Sequence, residues 1–354
     1  MDNRPKEKIF ILRNNDLGDV LVATPLIQGL RQAFPGASLS MGVGKWAFSL
    51  LENNPEIDQV IPCNAPWHNK SNCRHPANSP KTFLEGLFYV MFSREARRLK
   101  SEGFSRGIDV LGSRQGSWLM RRAKIPRRFG VKGYAGGDGW CESCVVFRED
   151  RNVALAALDF LTIMGKSVEI EPRPRIFLTE DETSEAEKKW GTRKPDSLRI
   201  VIAPGAGFPE KGWGDQSFGE LTRLLVQEST NQLTVIGGPE DFQRIRVDPS
   251  LSSSGRVDNL CGQCSVRQSA ALVARADFVV TNSSLAMHLA GAFKIPSLTL
   301  LGDWYDSAKL HSKQWGYPES SVLGREVEEG VFGTPSPNQV FAKIREHESI
   351  VKGA

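Results

Sequence analysis

The stretch that most constrains this chain runs from Ile9 to Arg31, IFILRNNDLGDVLVATPLIQGLR. Ile9–Leu12 is a short apolar run bounded by charge, which reads as a buried strand. A polar loop, Arg13 to Asp19, separates it from a helix-forming segment. Strand, loop and helix in that order deliver Gly18 and Asp19 to the carboxyl edge of a sheet, where open α/β folds bind their ligands. A carboxylate there can cap the helix or take a proton from an incoming hydroxyl. Pro25 breaks the helical pattern. Either Thr24 caps a helix that starts at Pro25, or the helix is kinked there.

The same rhythm continues. Ser38–Val43 and Gln59–Ile61 read as strands around a helix from Trp46 to Glu52, completing a βαβαβ run. Residues 62–82 are rich in Pro, Asn and Ser and have no apolar period, so they read as a long inserted loop, carrying Cys63, Cys73, His68 and His75. Then come a helix from about Phe83 to Ser101, a strand at Gly107–Leu111, a helix over 115–124 and a strand at Arg128–Val131. A glycine-rich loop, Gly133 to Gly139, leads to Cys141–Cys144, and Asn152–Met164 is apolar at helical spacing. Pro172-Arg173-Pro174 and the acidic run Glu180–Glu182 mark a domain boundary between residues 168 and 197. A second α/β series follows, with strands at Arg199–Ala203, Leu233–Ile236, Phe278–Thr281 and Ser297–Leu301. Helices at Phe218–Gln227, Ser265–Arg275 and Ala286–Ala292 alternate with them. The last helix, Asn338–Val351, has no strand after it. The expectation is α/β, with one domain over 1–170 and another over 195–335.

Composition narrows the class. A length of 354 residues suits two domains, and 40% hydrophobic with 24% charged residues is ordinary for a soluble globular protein. A net charge of +4 is too small to imply nucleic acid by itself. No apolar run approaches the ~18–20 residues of a membrane span. MDNRPKEKIFIL lacks the apolar core of a signal peptide, so the expected compartment is the cytoplasm. The six cysteines then read as free thiols or metal ligands rather than disulfides.

Three turns in the second series are candidates for ligand binding. The first, Ala203-Pro-Gly205-Ala-Gly-Phe-Pro-Glu-Lys211-Gly-Trp213, is neither a dinucleotide fingerprint nor a Walker loop. Lys211 there can hold a diphosphate as a point charge or be a solvated surface lysine. In the second, Gly237-Gly238-Pro239-Glu240, the carboxylate can accept from ribose hydroxyls or simply open a helix. In the third, Thr281-Asn282-Ser283-Ser284 precedes a helix containing His288. A helix N-terminus is a natural phosphate seat, while a lone histidine on such a helix is more often a packed core residue. All three turns follow strands of one sheet, so they share its carboxyl edge.

Together these pieces resemble glycosyltransferase family nine, the ADP-heptose:lipopolysaccharide heptosyltransferases. The matching segments occur in family order: Leu17-Gly18-Asp19-Val20-Leu21 with Thr24-Pro25, Pro204-Gly205-Ala206 with Lys211-Gly212-Trp213, Gly237–Glu240, and Thr281-Asn282 with Met287-His288. The resemblance implies the GT-B architecture, two Rossmann-like domains facing across a cleft, with the final helix, 338–352, packing back on the first. It implies inverting, metal-independent transfer from an ADP-sugar to a saccharide such as lipopolysaccharide core, with no cofactor required. It assigns Asp19 as general base and places Gly18, Thr24, Gly205, Lys211, Glu240, Thr281, Asn282, Ser283, Ser284 and His288 around the donor. No Asp-x-Asp pair occurs anywhere in the chain, in keeping with metal independence.

The third turn departs from the family pattern, Thr-Asn-Asp-Ser-Gly. Here the carboxylate is Ser283 and the glycine is Leu285. That opens two alternatives: a transferase using another nucleotide sugar on a protein or small-molecule acceptor, and a non-catalytic homologue that binds the sugar nucleotide. Cys63, Cys73, Cys141 and Cys144 are a candidate structural zinc site, with free thiols as the other reading. Residues 94–132 hold twelve Lys or Arg and three acids. Such a run is usually a solvated face; in an acceptor domain it would suit an anionic glycolipid or the inner face of a membrane.

Overall fold

The computed structural model describes residues 7–76, 79–193, 195, 197–245 and 256–353. The chain divides into two compact units, Met1–Phe177 and Leu178–Ala354. The first holds strands β1 (Lys8–Leu12), β2 (Ser38–Val43), β3 (Gln59–Pro62), β4 (Arg106–Asp109), β5 (Arg127–Lys132) and β6 (Ser143–Val146). All pair in parallel, in the order β3-β2-β1-β4-β5-β6. The second holds β7 (Arg199–Ala203), β8 (Gln232–Val235), β9 (Val257–Asn259), β10 (Phe278–Asn282), β11 (Ser297–Leu300) and β12 (Ser320–Leu323). These are also parallel, in the order β12-β11-β10-β7-β8-β9. Each sheet is therefore a doubly wound Rossmann-like sheet. Its order reverses between β1 and β4 in the first unit and between β7 and β10 in the second, and ligands of such sheets bind at that reversal.

The central strands are apolar throughout because helices cover both faces. Ile9, Phe10, Ile11 and Leu12 are all fully buried. Phe10 and Leu12 join a core with Ile61, Trp67, Leu99, Leu119 and Met120. In the second unit Ile200, Ile202, Val280 and Leu298 pack against Phe218, Leu221 and Leu225. Val340 and Ile344 of the final helix, Pro337–Gly353, belong to this second core.

Several elements differ from the sequence reading for local reasons. The first helix ends at Val22, and Thr24–Ala33 begins anew after Ala23. Pro25 then sits in the first turn, where its missing N–H costs no hydrogen bond. The helix expected over Phe83–Ser101 is two, Pro80–Phe92 and Arg94–Glu102. Ser93 separates them, its hydroxyl accepting the Ala96 N–H at 3.0 Å as an N-cap. The acidic run at 180 opens a helix, Glu180–Trp190, through a capping box between Thr179 and Glu182. Strands β6, β9 and β12 are short and only partly buried, so they lack the apolar signal of their neighbours. Among the described residues no helix is long and apolar enough to cross a membrane.

Candidate active site

In the first unit the site is built on the turn after β1. Asp19 lies in the first turn of the helix Leu17–Val22, directly after Gly18. Arg13, itself buried, pairs with Asp19 Oδ1 at 2.9 Å and donates from Nε to the Asp19 carbonyl at 3.1 Å. The Asp19 side chain remains 32% exposed. One oxygen of a half-open carboxylate is thus oriented by a fixed cation.

The segment that reads as an insertion lies over this turn. Trp67 is fully buried in the core. Asn14 donates to the Trp67 carbonyl at 3.2 Å, and Asn15 to that of His68 at 2.8 Å. The Lys70 N–H donates to Asp16 Oδ1 at 2.9 Å, and Trp46 Nε1 to the Asn15 carbonyl at 2.9 Å. His68 takes a left-handed φ of 52°, a conformation non-glycine residues adopt only where surroundings enforce it. Burial lowers its pKa and the Arg13 charge lowers it further, against the opposing pull of Asp19. Nothing in the spacing of the sequence linked His68 to Asp19.

Two further polar groups of the first unit are held by the protein itself. Thr24 is fully buried. Its hydroxyl donates to the Leu21 carbonyl at 2.7 Å and accepts the Arg175 N–H at 2.8 Å. At the end of β4, Asp109 accepts from the Leu111 N–H, the Ser113 N–H and the Ser113 hydroxyl. Burial still pushes its pKa up to about 6.

In the second unit the loops after β7, β10 and β11 are knitted together. Asn282 is buried; it donates to the Pro204 carbonyl at 2.6 Å and accepts the Trp213 N–H at 3.0 Å. Gly302 and Trp304 donate to the carbonyls of Lys211 and Glu210 at 3.2 and 3.0 Å. Lys211 Nζ lies 4.8 Å from the Phe208 ring centroid and 5.8 Å from that of Tyr305, within cation–π range. Trp304 stands edge-on to Phe208 at 4.8 Å and is exposed. The lysine thus has an aromatic surround that its spacing in the sequence did not indicate.

Gly205 and Gly237 clear space for a protein carboxylate. A Cβ at either position would meet Asp241 Oδ2, at 2.7 and 2.5 Å. Buried Asp241 accepts the Gly238 N–H at 2.9 Å and pairs with Arg244 at 3.1 Å. Its neighbour Glu240 is exposed at the start of this turn.

The third turn separates into two roles. Thr281 is fully buried, with its hydroxyl on the Asn282 carbonyl at 2.9 Å and 3.0 Å from Ser284 Oγ. Ser283 instead meets His311 Nε2 at 2.8 Å, with Tyr305 close by. The Tyr305 and His311 rings are edge-to-face at 5.0 Å. His311 is buried, and its Nδ1 has no partner. Burial pushes its pKa down to about 3, helped by the nearby His288 ring and the Lys211 charge, so the ring is neutral. A buried N–H without an acceptor is rarer than a bare lone pair, which puts the single proton on Nε2. His311 then donates to Ser283. Neither His311 nor Tyr305 is marked in the sequence, because each lies on a different segment from Ser283.

His288 is a packed residue. Its Nδ1 is 2.8 Å from the Tyr317 hydroxyl, and burial pushes its pKa down to about 3. It carries no charge for a phosphate at neutral pH. Both histidines sit below the ordinary 6.5, so between pH 6.5 and 3 the unfolded chain binds more protons than the folded one. Stability is fully present above 6.5 and falls as pH drops, by about 2 kcal/mol per histidine near pH 5. The melting temperature is expected to drop between pH 7 and 5, and to drop less in His288→Gln; a flat profile in the wild type would contradict this burial.

The four cysteines do not fit a zinc site. Cys63 is fully buried beneath Gly42, Cys73 bonds the His75 carbonyl at 3.0 Å, and only Cys141 and Cys144 are neighbours. Burial raises the Cys63 thiol pKa and pushes that of Cys141 up to about 12, so both are protonated thiols at neutral pH. Among the described residues no three His, Cys, Asp or Glu side chains are grouped to hold a metal, and all six cysteines are free.

The family model for glycosyltransferase family 9 (heptosyltransferase) matches residues 92–308, more than half of the chain. The chain belongs to that family. Lipopolysaccharide heptosyltransferase 2 of Salmonella typhimurium is 23% identical over 315 residues, covering 83% of this chain and 82% of that protein. The structure of E. coli ADP-heptose lipopolysaccharide heptosyltransferase II is similar with a TM-score of 0.74 at 19% identity, covering 98% of this chain and all of that one. An E. coli heptosyltransferase solved with ADP-2-deoxy-2-fluoro heptose is similar with a TM-score of 0.68 at 18% identity, covering 96% and 99%. The fold of this family 9 glycosyltransferase is GT-B, α/β with two parallel six-stranded sheets. The matched span contains the Lys211, Glu240 and Ser283 turns, whereas Asp19 precedes it.

Proposed function

We propose that this family 9 glycosyltransferase moves a heptose, or a closely similar sugar, from an ADP-sugar to a saccharide acceptor such as lipopolysaccharide core, with inversion and without a metal. The observation that carries the reading is the knitting of the Lys211 loop to the turns after β10 and β11 at the strand-order reversal of the second unit. Similarity to a protein solved with an ADP-sugar analogue supports ADP as the carrier. A nucleotide-sugar donor is in keeping with a reaction in the cytoplasm.

Asp19 takes the acceptor proton through the oxygen not paired with Arg13, while the acceptor oxygen attacks the anomeric carbon. Attack from the face opposite the diphosphate inverts that carbon, through a transition state of oxocarbenium character. The anomeric carbon–oxygen bond breaks and negative charge collects on the leaving diphosphate. Lys211 meets that charge, aided by the N-terminus of the helix Leu285–Phe293 and by the Tyr305 hydroxyl. Glu240 accepts from the nucleoside hydroxyls. Positive charge and donors from the chain fill the place a metal would otherwise take.

Titration with ADP, GDP and UDP tests the donor half. ADP is expected to bind best. Lys211→Ala is expected to weaken it by roughly ten- to a hundredfold, the range for losing a hydrogen bond to a charged group; Tyr305→Phe is expected to sit at the lower end. Preference for another base would keep the family and change the donor. Binding without transfer to any acceptor would favour the non-catalytic reading, which Ser283 in place of a carboxylate motivates.

A further inference from the structure

The helix Pro80–Phe92 is apolar on two opposite sides. Thr82, Gly86 and Val90 are buried, and Val90 belongs to the core of the first unit. On the other side Leu84, Phe88, Met91 and Phe92 recur at helical spacing. They are 53%, 65%, 42% and 65% exposed. The Phe88 and Phe92 rings lie 5.6 Å apart. This is a contiguous apolar strip on the outside of the fold, of the kind that marks an interaction surface.

The next helix, Arg94–Glu102, begins after the single residue Ser93. Its Ala96 and Leu99 enter the same core as Val90, so the outer sides of both helices look away from one cluster. Arg94, Arg97 and Arg98 occupy that outer side, and Lys81 stands at the far end of the apolar strip; all four are exposed. Glu95 is turned inward, accepting from the Asn64 N–H at 2.8 Å, the Asn64 amide at 2.6 Å and the Tyr89 hydroxyl. The strip is therefore apolar along its length and cationic at both ends. Arg98 also meets Glu102 at 3.5 Å, and three other basic residues of the 94–132 run have partners within the unit. Arg106 pairs with Glu7, Arg128 pairs with Glu142, and Arg121 stacks on Trp140 at 4.4 Å.

We propose that this surface docks the first unit on an anionic phospholipid bilayer, with Phe88 and Phe92 entering the acyl boundary and Lys81, Arg94, Arg97 and Arg98 on the headgroups. An apolar face framed by arginine and lysine is the pattern of a helix lying in the membrane plane. A protein partner matched to it would need a complementary acidic rim, whereas anionic headgroups supply that charge everywhere. Docking would bring the enzyme to acceptors carried by lipid, and so deepens the acceptor half of the proposed function. Vesicle binding itself needs no donor, acceptor or turnover, so its outcome is separable from the nucleotide titration.

The test is flotation of the full chain with phosphatidylglycerol-containing vesicles and with neutral phosphatidylcholine vesicles. The wild type is expected to float with the anionic vesicles and at least tenfold less with neutral ones, and to be released by high salt. Phe88→Ser/Phe92→Ser and Arg94→Glu/Arg97→Glu are each expected to weaken anionic binding at least tenfold, with melting temperatures unchanged because these side chains are exposed. Anionic binding unaltered in both double variants would overturn the proposal. So would a wild-type dimer that Phe88→Ser/Phe92→Ser converts to monomer, which would assign the strip to a second copy of the chain.

Discussion

Asp19→Ala is expected to slow sugar transfer by about 10²–10⁴-fold, the range that a positioned general base supplies, while leaving ADP affinity within twofold. The expectation rests on placement. Asp19 follows a fully buried strand at the strand-order reversal of the first sheet, and Arg13 orients one of its oxygens at 2.9 Å. Asp19→Asn separates charge from shape, since the amide keeps a partner for a hydrogen bond and loses the ability to take a proton. Its rate is expected to fall as far as that of Asp19→Ala. Single-turnover transfer with saturating donor is the measurement, and a variant that transfers at the wild-type rate would remove Asp19 from the chemistry.

Trp67→Ala is expected to lower stability by about 3–5 kcal/mol, as for other large aromatic residues cut to alanine in a packed core. Trp67 is among the largest fully buried side chains of the described residues. It meets Tyr89 edge-on at 5.3 Å within the core that also holds Phe10 and Leu12. The same substitution frees the segment whose carbonyls are held by Asn14 and Asn15, which lies over the Asp19 turn. Transfer is therefore expected to suffer in the folded variant even where ADP binding does not. Urea unfolding of both proteins decides it: a loss under about 1 kcal/mol would mean that the segment is a loose insertion after all.

The candidate turns were legible because each is a strand end followed by small or polar residues and a helix, a pattern contained in about a dozen consecutive residues. The role of each residue within a turn was less legible. Thr24, Thr281, Asn282 and His288 all lie at the expected positions, yet the structure spends their polar groups on Leu21, on Ser284, on Pro204 and Trp213, and on Tyr317. A motif shows that a side chain belongs near a site, but only its neighbours decide whether it faces a ligand. The apolar strip on Pro80–Phe92 escaped sequence reading for a related reason. A helix that is apolar on two sides looks like an ordinary core helix until one side is seen to be bare.

The sequence by itself determined the alternation of strand and helix, the two-domain division and the chain order of the candidate turns. These depend on periodicity and on residues close together along the chain. Only the tertiary structure decided that the His68 carbonyl is held by Asn15 beside the Asp19 turn, and that His311 bonds Ser283 while standing edge-on to Tyr305. It also decided that Asp241 fills the space two glycines leave, that the four cysteines stay apart from any common metal, and that the last helix joins the second core. Most of those contacts join residues far apart in sequence. They are set by strand order, by crossover and by which face each helix buries, and no local pattern of residues encodes them.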